Sequence, residues 1–214
     1  KKKKKLQPLL TKNTHTVSQD LSTSLGAQKL YEQTIAHFGF PDVLINNAGI
    51  AISSSVNTDA DLWNSSWNKT LNVNLGAPAY LCKCFINIKR NKNIHSRFRI
   101  INISSRAAFR GETEDFISYA CSKGGVVSLT KTIARSFGKK DNVLAFTIAP
   151  GFVKTEMIKD FLNKEGENYI KKGIVLDRLT EPKDISPVVS LIVSGKLDHA
   201  TGSTIDINGG SYLR

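Results

Sequence analysis

The sequence predicts an α/β protein built on a mainly parallel sheet. Short apolar runs at Val43-Leu44-Ile45, Arg99–Ile103 and Val143–Ile148 have the length and content of strands buried on both faces. The stretches between them repeat apolar residues with a helical period. At 214 residues and 40% hydrophobic content, the chain suffices for one such domain with a full core.

Lys1–Asn13 carries no secondary-structure signal and reads as a basic, flexible segment ahead of a single domain over residues 14–214. Thr14–Ser18 reads as a short strand, and Asp20-Leu21 follows, with Asp20 able to serve as a turn residue or helix cap. Ser24–Phe38 places Leu30, Tyr31, Ile35 and Phe38 at helical spacing, and Gly39 and Pro41 close it. The Val43–Ile45 strand runs into Asn46-Asn47-Ala48-Gly49. Alone, this is an Asn-rich turn. At the carboxyl end of a parallel strand, it is also where ligands of open α/β sheets bind.

Thr58–Arg90 reads as one long helix or two continuous pieces. Thr58 is its expected cap, with Asp59 and Asp61 in the first turn. Trp63 and Trp67, four apart, are expected in the core. Asn74 falls mid-helix, where its side chain competes for backbone groups and bends the helix. Leu75–Ile88 is apolar on more than one face, which implies burial at a subunit interface. Arg99–Ile103 ends in Ser104-Ser105, and the charged stretch Arg106–Glu114 reads as a solvated loop at a substrate mouth. Phe116–Phe137 is the next helix. Its Gly124-Gly125 pair costs about 1 kcal/mol per glycine against alanine, a cost consistent with close packing on another helix. Val143–Ile148 ends at Ala149-Pro150-Gly151, a turn after which Thr155 can cap a helix. Glu156–Leu179 reads as a mobile lid, Pro182–Val193 as a helix and Ser203–Ile207 as the last strand.

Composition excludes several classes. No apolar run approaches the ~20 residues of a membrane span, and the apolar stretch after Lys1–Lys5 is too short for a secretory signal. A cytoplasmic location is expected. Cys82, Cys84 and Cys121 form no C-x-x-C pair and read as reduced. The four histidines lack ligand spacing, so no metal is expected. The net charge is +12, five of it from Lys1–Lys5. No aromatic-interleaved basic stripe accompanies it, so nucleic acid is not the expected partner.

The chemistry centres on Tyr119-Ala120-Cys121-Ser122-Lys123. On a helix, Tyr119 and Lys123 share one face. A phenol of pKa ~10 is a poor acid at neutral pH, and a neighbouring ammonium is expected to lower that value. Such a tyrosine can exchange a proton with a substrate oxygen.

With Asn46-Asn47-Ala48-Gly49, Asn74, Ser105 and Pro150-Gly151 in this order, the chain from about Thr16 to Gly210 resembles the short-chain dehydrogenase/reductase family, of the kind that includes 3-oxoacyl-[acyl-carrier-protein] reductases. The resemblance implies a Rossmann-type doubly wound parallel sheet and NAD or NADP as cofactor. It implies a catalytic set of Asn74, Ser105, Tyr119 and Lys123. In this reading Ser105 holds the substrate oxygen, Tyr119 donates the proton, and Lys123 tunes Tyr119 and contacts ribose. Asn74 kinks its helix around a relay water. It further assigns Asp20, Leu21, Asn46, Ala48, Gly49, Pro150, Gly151, Val153 and Thr155 to cofactor binding, along with Tyr119 and Lys123. Expected partners are a small carbonyl or alcohol substrate, free or bound to acyl carrier protein, and further copies of the chain in a homodimer or homotetramer. One family feature is missing. The T-G-x-x-x-G-x-G turn that seats the pyrophosphate at a helix N-terminus is not in this sequence. Gly26 is the only glycine before Gly39 and falls within a predicted helix. The fold is therefore expected to lack its N-terminal strand-helix-strand unit, of roughly 30 residues, and the chain as it stands is expected to bind the dinucleotide weakly. A non-catalytic chain that uses the fold for binding or assembly is the alternative reading.

Overall fold

A computed structural model describes residues 14–214; the basic segment 1–13 lies outside the described residues. Four parallel strands form one sheet in the order β1 (Val43–Asn46), β2 (Phe98–Ile103), β3 (Val143–Pro150), β4 (Thr204–Ile207). The helices are α1 (Ser24–Phe38), α2 (Ala60–Leu71), α3 (Ala77–Asn91), the short α4 (Ala107–Arg110), α5 (Ile117–Asp141), α6 (Lys159–Glu165), α7 (Glu167–Lys171) and α8 (Pro182–Val193).

Strand alternation explains why both faces are covered. Phe98 and Ile100 of β2, with Val143 and Ala145 of β3, face a core built from Leu81, Cys82, Phe85 and Ile86 of α3 and Ile133 of α5, flanked by α1. Ile101, Phe146 and Ile148 face the other way, onto Ile192 and its neighbours on α8. This is the doubly wound arrangement expected from the sequence.

Several expectations change. Thr14–Ser18 is not a strand. A strand exists only through a paired neighbour, and the sheet of the described residues does not include this segment; His15 stacks on the His37 ring at 3.9 Å. Among the described residues, β1 therefore pairs on one side only, and Ile45 is 45% exposed. The cap of α2 is Asp59 rather than Thr58: its carboxylate accepts from the Asp61 and Leu62 amides at 3.0 and 3.3 Å. Trp63 and Trp67 stack on one another at 5.2 Å, but both are only half-buried. Between α2 and α3, Asn72–Gly76 forms a π-helical turn, so the predicted long helix is one continuous rod with a single widened turn. Helix α5 runs past Gly138 to Asp141, where Asn142 takes the left-handed conformation at φ 52° and its amide donates to Phe137 O. Gly125, not Gly124, makes the close packing: a Cβ there would lie 2.6 Å from Leu75 Cδ2.

The apolar excess read in Leu75–Ile88 goes largely into this chain's own core. Among the described residues, none of the exposed large hydrophobics lies on α3, and only Ile117 lies on α5. Exposed apolar side chains sit on other elements, among them Leu25 and Phe38 on α1, Leu62 on α2, Val175 and Leu176 before α8, and Leu213. Among the described residues no helix is long and apolar enough to cross a membrane.

The start of α1 depends on Gly26. Thr23 caps the helix by accepting the Gly26 amide at 3.0 Å, and a Cβ on Gly26 would fall 1.8 Å from the Asp20 carbonyl oxygen. Gly26→Ala should therefore destabilise the protein by about 1–3 kcal/mol, as overpacking against backbone does. Gly124 has open space, with Ala108 O at 3.8 Å, so Gly124→Ala should be neutral or stabilising by up to about 1 kcal/mol. Urea unfolding of the two variants checks the contrast.

Candidate active site

The site forms where β1, β2 and β3 end together. Registry aligns Asn46 with Asn102 and Asn102 with Thr147, so the strands deliver their following loops to one edge. Two further hydrogen bonds bind the β2 loop to β3: Ser104 N to Ile148 O at 2.8 Å and Arg106 N to Pro150 O at 3.0 Å. Helix α5 docks against this edge through Ser104, whose Oγ donates to Lys123 O at 2.8 Å.

Lys123 is buried, and its Nζ donates to the Ile103 carbonyl at 2.9 Å. Burial disfavours the charged form and brings its pKa down to about 8. One turn earlier, the half-buried Tyr119 lies close enough to Ser105 for the serine hydroxyl to favour the phenolate. Burial pushes the Tyr119 pKa above its ordinary value, opposed by the Ser105 hydroxyl and the Arg106 charge and reinforced by Glu112. This corrects the expected lowering by Lys123. The ammonium lies 5.8 Å from the Tyr119 ring centre and spends a donor on Ile103, while desolvation penalises both charged forms.

Asn74 occupies the middle of the π-turn. Its Oδ1 accepts the Ile50 amide at 2.8 Å, and its Nδ2 donates to Ile50 O at 2.9 Å and to Ser122 Oγ at 3.0 Å. Ser122 Oγ in turn donates to Tyr119 O at 2.7 Å. The widened turn thus aims one amide at both the loop after β1 and helix α5. Gly49 fits between them: a Cβ would lie 3.4 Å from Lys123 Nζ and 3.5 Å from Asn74 Oδ1. Asn74, Ser105, Tyr119, Lys123 and Gly49 are therefore brought together as one cluster.

Other residues from the sequence reading take different places. Asn46 is buried, but its amide points inward, donating to Asn102 Oδ1 at 2.8 Å and Cys82 Sγ at 3.6 Å; Asn102 continues to Thr130 Oγ1 at 2.9 Å. Its side chain fixes the strand ends and α5 rather than reaching toward a ribose. Ala48 is exposed beside Gly49. Pro150 ends β3, and Gly151 lies so near Asn208 that a Cβ would meet its Cα at 3.0 Å. Val153 bridges to Thr180, and the exposed Thr155 donates to Val153 O at 3.2 Å without capping the following turn through its side chain. Asp20 acts in a turn, accepting Ser22 N and Oγ at 2.9 and 2.7 Å, bonds that lower its pKa. The half-buried Leu21 lies in the same turn, which Asn72 ties to the π-segment by donating to Ser22 O at 3.1 Å.

The sequence reading passed over Ser122, Asn102 and Thr130 in this cluster and left Ser104 between a strand-to-loop turn and a functional place. The available signal was a polar residue within an apolar strand or on the inner face of a helix. Arg106, read as part of a solvated loop, is buried. Its guanidinium lies 4.6 Å from the Phe152 ring centre.

Comparison with known proteins bears on the family of the chain. A family profile described as Enoyl-(Acyl carrier protein) reductase matches residues 1–212. A 3-oxoacyl-[acyl-carrier-protein] reductase of Buchnera aphidicola subsp. Baizongia pistaciae is 31% identical over 204 residues, 95% of this chain and 80% of that protein. An NADP-dependent (R)-specific alcohol dehydrogenase of Lentilactobacillus kefiri is 32% identical over 91% of this chain and 75% of its own length. Among solved structures, 4-hydroxyisoleucine dehydrogenase complexed with NADH superimposes with a TM-score of 0.84 at 31% identity, covering 96% of this chain and 83% of that one. The same enzyme with NADH and succinate gives 0.79 at 30% identity, covering 91% and 78%. A profile match along almost the whole chain, with relatives and structures at this identity and coverage, means that the chain belongs to the short-chain dehydrogenase/reductase family, oxidoreductases that use NAD or NADP.

Proposed function

We propose that this chain interconverts a carbonyl and a secondary alcohol with NAD or NADP, using Asn74, Ser105, Tyr119 and Lys123. The observation that carries the reading is the Tyr119–Ser105 hydroxyl pair with a buried lysine one helical turn away. The residues suit a nicotinamide dinucleotide. Gly49 leaves the space beside Lys123 Nζ and Asn74 that a side chain would take, and the ammonium keeps donors beyond its bond to Ile103 for ribose hydroxyls. Gly49, Pro150, Gly151, Val153 and Thr155 would hold the nicotinamide half. When bound, the dinucleotide supplies or accepts hydride.

The chain's own residues manage the oxygen and its proton. Ser105 donates a hydrogen bond to the carbonyl oxygen and fixes it beside Tyr119. Tyr119 delivers its phenolic proton to that oxygen as the alcohol forms. A raised pKa keeps the phenol protonated for this step, and Lys123 and Ser105 steady the phenolate left behind. Asn74 holds the loop and helix around the pair. The relatives named as 3-oxoacyl-[acyl-carrier-protein] reductases favour a 3-oxoacyl thioester as substrate, with an acyl carrier protein as partner, and the positive net charge suits such an acidic partner. Assembly into a homodimer or homotetramer belongs to the same reading; light scattering at micromolar concentration should give a mass above one chain, and a single-chain mass removes that part of it.

In a form that carries the glycine-rich turn, Tyr119→Phe should reduce turnover by about 100-fold or more while leaving dinucleotide binding in place; steady-state rates with 3-oxoacyl and simple ketone substrates, beside a calorimetric titration, decide this. In the wild type, carbonyl reduction should weaken at high pH as Tyr119 ionises, and alcohol oxidation should strengthen.

Lys123 carries a folding cost that its role explains. Its pKa falls from 10.5 unfolded to about 8 folded, so the folded state disfavours its charge. That penalty is complete below pH about 8 and fades as pH rises toward 10.5. Lys123→Met should therefore raise the melting temperature most below pH 8, with the gain shrinking above it, while turnover is lost. Thermal unfolding across this pH range tests the sign.

A further inference from the structure

Arg106 follows Ser105 directly and has 8% of its surface exposed. Its backbone amide is fixed on Pro150 O at 3.0 Å, and its guanidinium lies over Phe152, the residue after Gly151. The arginine is thus held between the two loops that frame Tyr119, near enough for its charge to act on the phenol. Among the described residues no carboxylate lies within ion-pair distance of it. Glu112, the nearest acid in the same loop, is taken by Arg110 at 2.7 Å. The Phe152 ring satisfies one face of the guanidinium, but its edge N–H donors gain no partner from a ring. A buried cation without a bonded carboxylate is costly to fold: burial first, then Arg110, holds its pKa below the ordinary value, and the more distant Glu112 charge and Tyr119 oppose this only in part.

The other arginines near the carboxyl edge are spent within the protein. A cavity of about 610 Å³ beside Asn208 and Tyr212 contains Arg178 and Arg214, but these pair with Asp184 at 2.6 Å and Asp206 at 2.8 Å. Arg106 alone among these three offers an unmatched charge, and it does so next to the hydroxyl pair that would hold the reacting oxygen.

We propose that Arg106 receives a substrate carboxylate, so that the enzyme acts on keto acids and hydroxy acids whose carboxylate lies a few bonds from the reacting carbon. This rests on the carbonyl–alcohol reading of the site and sets a free keto acid against the 3-oxoacyl thioester, which has no carboxylate, as its substrate class. The flat guanidinium matches a carboxylate with two parallel N–H···O bonds. It sets the distance from carboxylate to carbonyl, with Ser105 and Tyr119 at one end and Arg106 at the other.

The test compares 4-oxopentanoate with its methyl ester, using the full chain and NADH or NADPH. The acid should exceed the ester in kcat/KM by about 100-fold, the scale set by a buried charge pair. Arg106→Gln should collapse that ratio toward one, and Arg106→Lys should keep part of it, which separates lost charge from lost folding. Equal use of acid and ester by the wild type overturns the inference, as does an Arg106→Gln variant that keeps the preference or raises only the KM for nucleotide. Calorimetric titration with succinate stands apart from catalysis. Binding by the wild type that Arg106→Gln abolishes supports the inference even where neither ketone is turned over, a result that would instead remove the carbonyl–alcohol reading. With both ketones inert, absent succinate binding, or binding that the substitution does not change, overturns it.

Discussion

Burial of the Lys123 ammonium against the Ile103 carbonyl is the constraint on which the site depends. A lysine so placed holds its charge at a cost, since water is replaced by one carbonyl and an apolar surround. The fold pays this cost at one place, where β2 gives way to its loop. Ser104 grips the backbone of Lys123 from the same loop, so strand end and helix are joined at both the main chain and the side chain. Displacing α5 by even a fraction of a turn would break both bonds and part Tyr119 from Ser105.

The polar network behind the site makes such displacement hard. From β1 through β2 to α5, Asn46, Asn102 and Thr130 form a buried chain of hydrogen bonds, and Thr130 donates onward to Val126 O at 2.8 Å. A second chain runs from the Ile50 backbone through Asn74 and Ser122 to Tyr119 O. Buried networks of this kind are stabilising only when each member is satisfied, and then they specify one arrangement. The π-turn supplies the geometry for the second chain: an extra residue in the turn aims Asn74 away from its own helix and toward two other elements.

Charge and burial divide the work around Tyr119. Desolvation keeps it protonated, while Ser105 and Arg106 oppose that shift. The protonation state of the phenol is therefore set by its surroundings rather than by a single neighbour. Arg106 shows how far a local reading of charge can mislead. Within a stretch also holding Arg110, Glu112 and Glu114, it reads as one more solvated residue, yet the tie of its amide to β3 draws it under Phe152.

The sequence by itself determined the strand cores and helices, because alternation and helical period are written in neighbouring residues. It also determined the Tyr119–Lys123 pair, since four residues on a helix make one face. Helix α1 and helix α8 match their expected bounds exactly as drawn from periodicity, glycine and proline. What only the tertiary structure decided lies in contacts between distant segments. Thr14–Ser18 has strand-like residues but, among the described residues, lies outside the sheet. Asn46 has the residue type of a ligand contact but turns inward to Asn102, 56 positions away. The direction of the Tyr119 shift depended on how deeply two loops bury it. Side-chain pairing and desolvation are set by what packs across the gap, and no local stretch of sequence contains that information.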